Sequence, residues 1–417
     1  MNSNDKKTED CTGISDIVPD IESKVPPEIV RIIHDSPKKI VLSVTGGGSE
    51  AIAELLRYGG GSDTILEAII PYSQESLVDF IGHEPESFAS SKTAKEMAMN
   101  SYRRALYLNS KKGKDGIHPE SLAGIGITCK LAKSTPERHG RKHEVHFAFQ
   151  SYNKTFTSSI LLTGDKNRTE EERIVANFVL EKIAFSCNPE AWKLIETTEI
   201  NGKIIENEDT AEKNCAELLL RTLDDINLKQ NSTPQKIDLG INNKKSKIVF
   251  SGSFNPFHKN HIKMARIAAE IYKQPVIFEI SLANVDKPPI DYISLKERIN
   301  SLLKYKDEEY LAGIYLSNSP LFADKAVLFP DSVFLIGTDT LNRLFNEDYY
   351  RHGEDRESLL KHFRKYNTRF LVFLRKDSEI EKGLKVPDIC TIVPLEKYSD
   401  DGTSSTKIRK QMRKEII

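Results

Sequence analysis

Ile248-Val249-Phe250-Ser251-Gly252-Ser253-Phe254-Asn255-Pro256-Phe257-His258-Lys259-Asn260-His261 runs from an apolar stretch through a glycine and a proline to two histidines three positions apart. Beyond it, Met264, Ile267, Ala268 and Ile271 recur at helical spacing, so the order reads strand, tight turn, helix. Gly252 lets the backbone leave the strand sharply and come close to a phosphate, while Pro256 fixes one φ angle and removes a competing donor. At a helix start, residues 258 and 261 face one side, where amides and dipole favour an anion. The stretch reads as a site for a nucleoside triphosphate. Two surface histidines, or two ligands of an incomplete metal site, are the plainer alternatives. No Cys-x-x-Cys or His-Glu-x-x-His completes such a site, and no protein-held metal is expected.

A second stretch, Thr403-Ser404-Ser405-Thr406-Lys407-Ile408-Arg409-Lys410, sets hydroxyls at the entrance to a helix whose first turn carries Lys407 and Arg409. Cations there oppose the helix dipole unless an anion is bound. Serine and threonine also cap helices with no ligand present, so the segment gains weight only beside the first.

Together the two stretches resemble the nucleotidyltransferase superfamily with the signature Gly-x-Phe-x-Pro-x-His-x-x-His and a late Ser-Ser-Thr-x-Ile-Arg. Within it, the chain most resembles the nicotinamide-mononucleotide adenylyltransferases, on Gly252 to Pro256, Phe334-Leu335-Ile336-Gly337-Thr338-Asp339 and Ser404 to Arg409. The resemblance covers residues 246 to 417 and implies a Rossmann-like parallel-sheet domain. It also implies transfer of AMP from ATP to nicotinamide mononucleotide, forming NAD and pyrophosphate. Asn260 departs from the pattern, standing where many members have glycine. In-line attack on the α-phosphorus needs orientation and charge stabilisation rather than a covalent intermediate. His258 and His261 are assigned to the triphosphate and the developing charge, and the amides around Ser253 and Phe254 to phosphate. Ser405, Thr406 and Arg409 are assigned to the β,γ-phosphates and Ser404 to nucleotide binding, with Mg²⁺ bridging phosphate oxygens. Lys259 is a further phosphate candidate or a solvated lysine. Asp339 reads either as a helix N-cap or, with Gly337, as a nucleotide contact at a strand end.

The amino-terminal half has its own strand, glycine turn and helix: Ile40 to Val44, Thr45-Gly46-Gly47-Gly48-Ser49, then Ile52, Leu55 and Leu56. A short strand is expected over 67–72 and a helix over 92–107. Strands follow over 122–128, 144–150 and 155–162, then a helix over 169–184, an α/β alternation. This half resembles the CinA C-terminal family, whose better-known members hydrolyse the amide of nicotinamide mononucleotide, on Ser43 to Gly47, Tyr72-Ser73 and Ser90 to Ala98. Where that family has Thr-Gly-x-Ala-Gly-Pro, this chain has Thr128-Cys129-Lys130-Leu131-Ala132-Lys133. The glycines that would admit a phosphate are missing. The resemblance makes Ser43 the nucleophile candidate, with Tyr72 nearby and Thr45, Gly46 and Gly47 on the substrate, and the missing glycines favour a turn without hydrolysis.

The chain divides into a polar tail over 1–24, the CinA-like α/β domain over 25–190, a connector with a helix near 218–226, and the transferase domain over 246–417. Its 417 residues suffice for two cores. With 60 basic and 61 acidic residues the net charge is −1, which calls for neither nucleic acid nor membrane. Five scattered cysteines argue against a disulfide framework. No apolar run reaches membrane-span length, so a cytoplasmic location is expected, with the nucleus not excluded. The partners expected are ATP and a mononucleotide; a homo-oligomer is left open. Two other functions compete: transfer to a different phosphorylated acceptor, and a non-catalytic pyridine-nucleotide sensor or scaffold with a degenerate amidase domain.

Overall fold

The computed structural model describes residues 27–133, 140–193, 203–224, 233–242, 244–283, 287–350, 354–376 and 378–416. The expected polar tail with Cys11 and, in the connector, residues 194–202 and 225–232 lie outside them. The chain forms two sheets. The first holds β1 (Lys39–Thr45), β2 (Ile65–Ile69), β3 (Leu122–Lys130), β4 (His143–Ser151), β5 (Lys154–Leu162) and β6 (Lys203–Thr210), in the order β2-β1-β3-β4-β5-β6. β1 pairs parallel with β2 and β3, and the ladders from β3 to β6 are antiparallel. β2 begins two residues before the expected strand and ends before Pro71, which cannot donate to a ladder.

The second sheet holds β7 (Lys236–Asp238), β8 (Ile248–Ser251), β9 (Val276–Ser281), β10 (Leu311–Ser317), β11 (Val333–Gly337), β12 (Arg369–Phe373) and β13 (Cys390–Ile392). Its order is β13-β12-β11-β8-β9-β10-β7, parallel throughout except for the antiparallel β7. Alternation along the strands explains why both faces are covered: Ile248 and Phe250 enter one apolar cluster, Val249 the other. The chain runs outward through β8, β9 and β10, then returns to lay β11 beside β8. Ligands of open α/β sheets bind at such a reversal, outside the carboxyl ends of the strands.

The segment between the domains is more than a linker. It supplies β6, a charged strand suited to the edge of the first sheet, the helix Lys213–Asp224, and β7 of the second sheet. That helix starts earlier than its apolar spacing suggested. One apolar cluster joins both units: Met99, Tyr102 and Leu106 pack with Leu219, Leu223 and Leu295. Across the junction, Lys95 pairs with Asp291 at 3.2 Å and donates to the Ser294 hydroxyl at 2.6 Å, both charged side chains being buried. The Tyr292 amide donates to the Thr155 hydroxyl at 3.0 Å.

Lys95 rides on the helix Ser91–Ser110, capped by Ser90, whose hydroxyl accepts the Thr93 amide at 3.1 Å. This helix lies directly on β3 because Gly124 and Gly126 have no side chain there. A Cβ at Gly124 would stand 2.1 Å from the Tyr102 nitrogen, and one at Gly126 would stand 2.2 Å from the Ala94 carbonyl oxygen. Among the described residues, no helix is long and apolar enough to cross a membrane. Cys129, Cys187, Cys215 and Cys390 are free thiols.

Candidate active site

β8 ends at Ser251, and the chain turns through residues 252–258 into the helix Lys259–Tyr272. Phe254, at φ 44°, turns its ring into a buried nest with Phe250, Phe257, Phe278 and His261, the centroids 5.3–5.7 Å away. The nest fixes the loop and, with it, the histidines. The rings of His258 and His261 stack with centroids 3.7 Å apart, and the His258 amide donates to Nδ1 of His261 at 3.2 Å.

Neither ring nitrogen of His258 has a hydrogen-bond partner among the described residues, although both are shielded from solvent. Burial, helped by the nearby Arg375 charge, pulls the His258 pKa down from its ordinary 6.5 to about 4. Burial, His258 and Arg375 hold His261 well below its ordinary range. Both rings are therefore neutral near pH 7, and an arriving polyphosphate would meet unpartnered donors. A stability consequence follows. The unfolded chain binds a proton at His258 near 6.5 and the folded chain only near 4, so this contribution is complete above 6.5 and is lost as pH falls toward 4. The melting temperature is expected to drop over that window, and less so in His258→Gln; identical profiles for the two proteins would contradict the assignment.

The late segment meets this loop directly. The Ser405 hydroxyl donates to the Pro256 carbonyl at 3.0 Å, and the Arg409 guanidinium donates to the Asn255 carbonyl and, at 3.2 Å, to the Thr406 hydroxyl. Asn260, the departure from glycine, is buried. Its amide donates to Asp400 at 2.5 Å, Asp401 at 3.0 Å and the Thr403 carbonyl at 3.0 Å. The substitution thus ties the helix start to the 400–403 turn. Lys259, largely exposed, pairs with Asp401 at 2.6 Å, and the Ser404 hydroxyl accepts the Lys407 amide at 3.3 Å, capping the helix Ser405–Ile416.

Gly337, not Asp339, occupies the N-cap position of the helix Thr338–Leu344. Asp339 lies in its first turn and pairs with Arg375 at 3.3 Å, while the Arg375 amide donates to the Thr338 hydroxyl at 2.9 Å. Arg375, beside both histidines, escaped the sequence reading because it belongs to no motif; only the β11–β12 pairing brings it to the site. A buried pair escaped it too. Lys325 meets Glu279 at 2.8 Å, and the Ser317 and Ser251 hydroxyls also donate to that carboxylate, securing the end of β8. Beside the loop opens a cavity of about 550 Å³ whose wall includes Gly252, Ser253, Asn255 and Arg409. The histidine pair is not part of that wall.

The amino-terminal candidates are arranged otherwise. Ser43 is fully buried, its hydroxyl donating to the Ile125 carbonyl at 3.1 Å and accepting from Ser101 at 3.0 Å, whereas Tyr72 is 68 % exposed. Their expected partnership as nucleophile and neighbour is corrected on this point: the Ser43 hydroxyl is closed off. Gly46, at φ 77°, is needed for packing, since a Cβ there would stand 2.1 Å from the Cys129 carbonyl oxygen. Thr45 is buried, and Gly47 lies close to Leu131 and Glu172. The Glu172 carboxylate accepts the Gly48 amide at 2.8 Å and the Ser49 hydroxyl at 3.0 Å. At the start of the helix Ser49–Arg57, where a substrate phosphate would sit, the chain places its own anion. Among the described residues, no three His, Cys, Asp or Glu side chains cluster as a metal site would need.

Residues 249–411 match the model of the cytidylyltransferase-like family. Solved structures similar to the amino-terminal part include the competence/damage-inducible protein CihA from Agrobacterium tumefaciens, at 20% identity and TM-score 0.31, covering 38% of this chain and 95% of that one. A CinA superfamily protein from Enterobacter cloacae, at 14% identity and TM-score 0.30, covers 45% of this chain and 99% of that one. Among curated proteins none matches significantly.

Proposed function

We propose that the carboxy-terminal unit transfers AMP from ATP to a phosphorylated acceptor, nicotinamide mononucleotide first among the candidates, and that the amino-terminal unit performs no amide hydrolysis. The observation that carries the reading is the hydrogen-bonded meeting of the 252–261 loop with residues 400–409 at the end of β8. The family match over 249–411 supports nucleotidyl transfer as the reaction class.

In the proposed reaction an oxygen of the acceptor phosphate attacks the α-phosphorus of ATP. A new P–O bond forms, the bond from the α-phosphorus to the oxygen bridging the β-phosphate breaks, and pyrophosphate leaves. The acceptor phosphate is mostly deprotonated at neutral pH, so no base has to take its proton. What remains for the protein is alignment and charge: Arg409 and the histidine pair beside the departing phosphates, loop amides beside the α-phosphate. The amidase reading of the first unit is disfavoured by Glu172 in the helix entrance and by the closed-in Ser43 hydroxyl.

An acceptor screen tests this. The full chain with Mg²⁺ and ATP, or CTP in its place, is offered nicotinamide mononucleotide, nicotinate mononucleotide, phosphopantetheine and phosphocholine, and pyrophosphate is followed. NAD with one pyrophosphate per turnover is expected. Product with a different acceptor would correct the substrate alone, and no pyrophosphate from any pair would remove the reaction.

A further inference from the structure

We infer that the acceptor's phosphate is held at the junction of the two units and that Lys92, from the amino-terminal unit, is one of its binding residues. The inference rests on the transfer reading above and assigns the first unit a part in the same site. The cavity beside the 252–258 loop is walled by both units, with Lys92, Lys95 and Glu96 on one side and Lys287, Arg298 and Arg409 on the other.

The charges in that wall are not matched. Lys95 is neutralised by Asp291. Arg298 has no ion-pair partner among the described residues, and its buried Nε has no hydrogen-bond partner at all. Burial lowers its pKa to about 10, with Asp291 opposing and Arg409 adding to the shift. Lys287 is likewise without an ion-pair partner among the described residues; it feels Lys92 and Arg409 as like charges and Glu96 and Glu86 as opposite ones. Glu86 serves two cations, Arg409 at 3.2 Å and Lys92 at 3.3 Å, and Glu96 is 4.0 Å from Lys92. A buried guanidinium N–H without an acceptor is costly, and an anion in the cavity would complete it.

The placement of Lys92 is fixed rather than incidental. It lies in the first turn of the helix Ser91–Ser110, which carries no acidic residue in that turn, so the helix dipole adds to its charge. Gly124 and Gly126 set that helix on β3, and Lys95–Asp291 pins it to the second unit. Through Glu86, Lys92 is joined to Arg409, which touches the loop at Asn255. An acceptor phosphate bound there lies next to the loop residues Gly252, Ser253 and Asn255, whose amides are assigned to the triphosphate. The cavity size suits a mononucleotide.

The test is calorimetric titration of the full chain, and of Lys92→Ala and Lys92→Arg, with nicotinamide mononucleotide and separately with MgATP. Lys92→Ala is expected to weaken the mononucleotide roughly ten- to a hundredfold, the range for one charge-assisted hydrogen bond. MgATP binding should change less than about twofold and Lys92→Arg should restore most of the loss, with melting temperatures confirming the folds. Unchanged mononucleotide affinity overturns the inference, as does a loss confined to MgATP, which would put these cations on the triphosphate. A parent protein that does not bind the mononucleotide overturns it too. A parent that binds the mononucleotide through Lys92 yet turns over nothing would remove the transfer reaction and keep the site.

Discussion

His258→Ala is expected to lower turnover by roughly a hundred- to a thousandfold while the melting temperature moves by only a few degrees. Neither ring nitrogen of His258 has a hydrogen-bond partner among the described residues, so its removal breaks little of the fold, yet its ring stands at the helix start where the triphosphate is proposed to lie. His261→Ala should lose as much activity and more stability. Its Nδ1 accepts the His258 amide, and its ring is packed among Phe250, Phe254 and Phe257, so alanine leaves both an unpaired amide and a void. Steady-state kinetics beside thermal melts separate the two effects. Full activity in both variants would show that the imidazoles play no part in the transfer.

Gly124→Val is expected to cost about 3 kcal/mol or more, because its side chain would run into the backbone of the helix Ser91–Ser110 rather than into a movable side chain. For domains of this size that is a fall of roughly 10 °C in melting temperature. The displaced helix carries Lys92 and Lys95, so binding of the mononucleotide should weaken in the same variant even at temperatures where it remains folded. A valine variant that melts like the parent would mean the helix does not sit on β3 as described. One that melts low but binds normally would uncouple the helix position from the cavity.

Local order was legible in the residues. The strand, glycine turn and helix around residues 248–272 stand where the spacing puts them, as does the late helix beginning at Ser405, because both are encoded by contiguous residues of fixed period. Partnerships across the sheet were not. Arg375 reaches Asp339, and Glu279 reaches Ser251, only because β12 lies beside β11 and β9 beside β8, and strand order is not written in any local stretch. Glu172 in the entrance of the Ser49–Arg57 helix is 124 residues from the amide it accepts, so a glycine turn that reads as a phosphate site is filled from a distance. β6 was hidden by its composition, since an edge strand exposed to water needs charged residues and reads like a loop. The junction between the units left no signal either, because Lys92 and Lys95 look like ordinary surface residues of an amphipathic helix until the second unit lies against them.

The most direct test of the central claim follows the fate of each ATP phosphate. The full chain is incubated with Mg²⁺, nicotinamide mononucleotide and ATP labelled at either the α- or the γ-phosphate. The account predicts α-label in a dinucleotide, γ-label in pyrophosphate and none in inorganic phosphate, with both labelled products fading in Arg409→Ala. Release of γ-label as inorganic phosphate, or α-label that stays in mononucleotides with every acceptor tried, would contradict adenylyl transfer at this site.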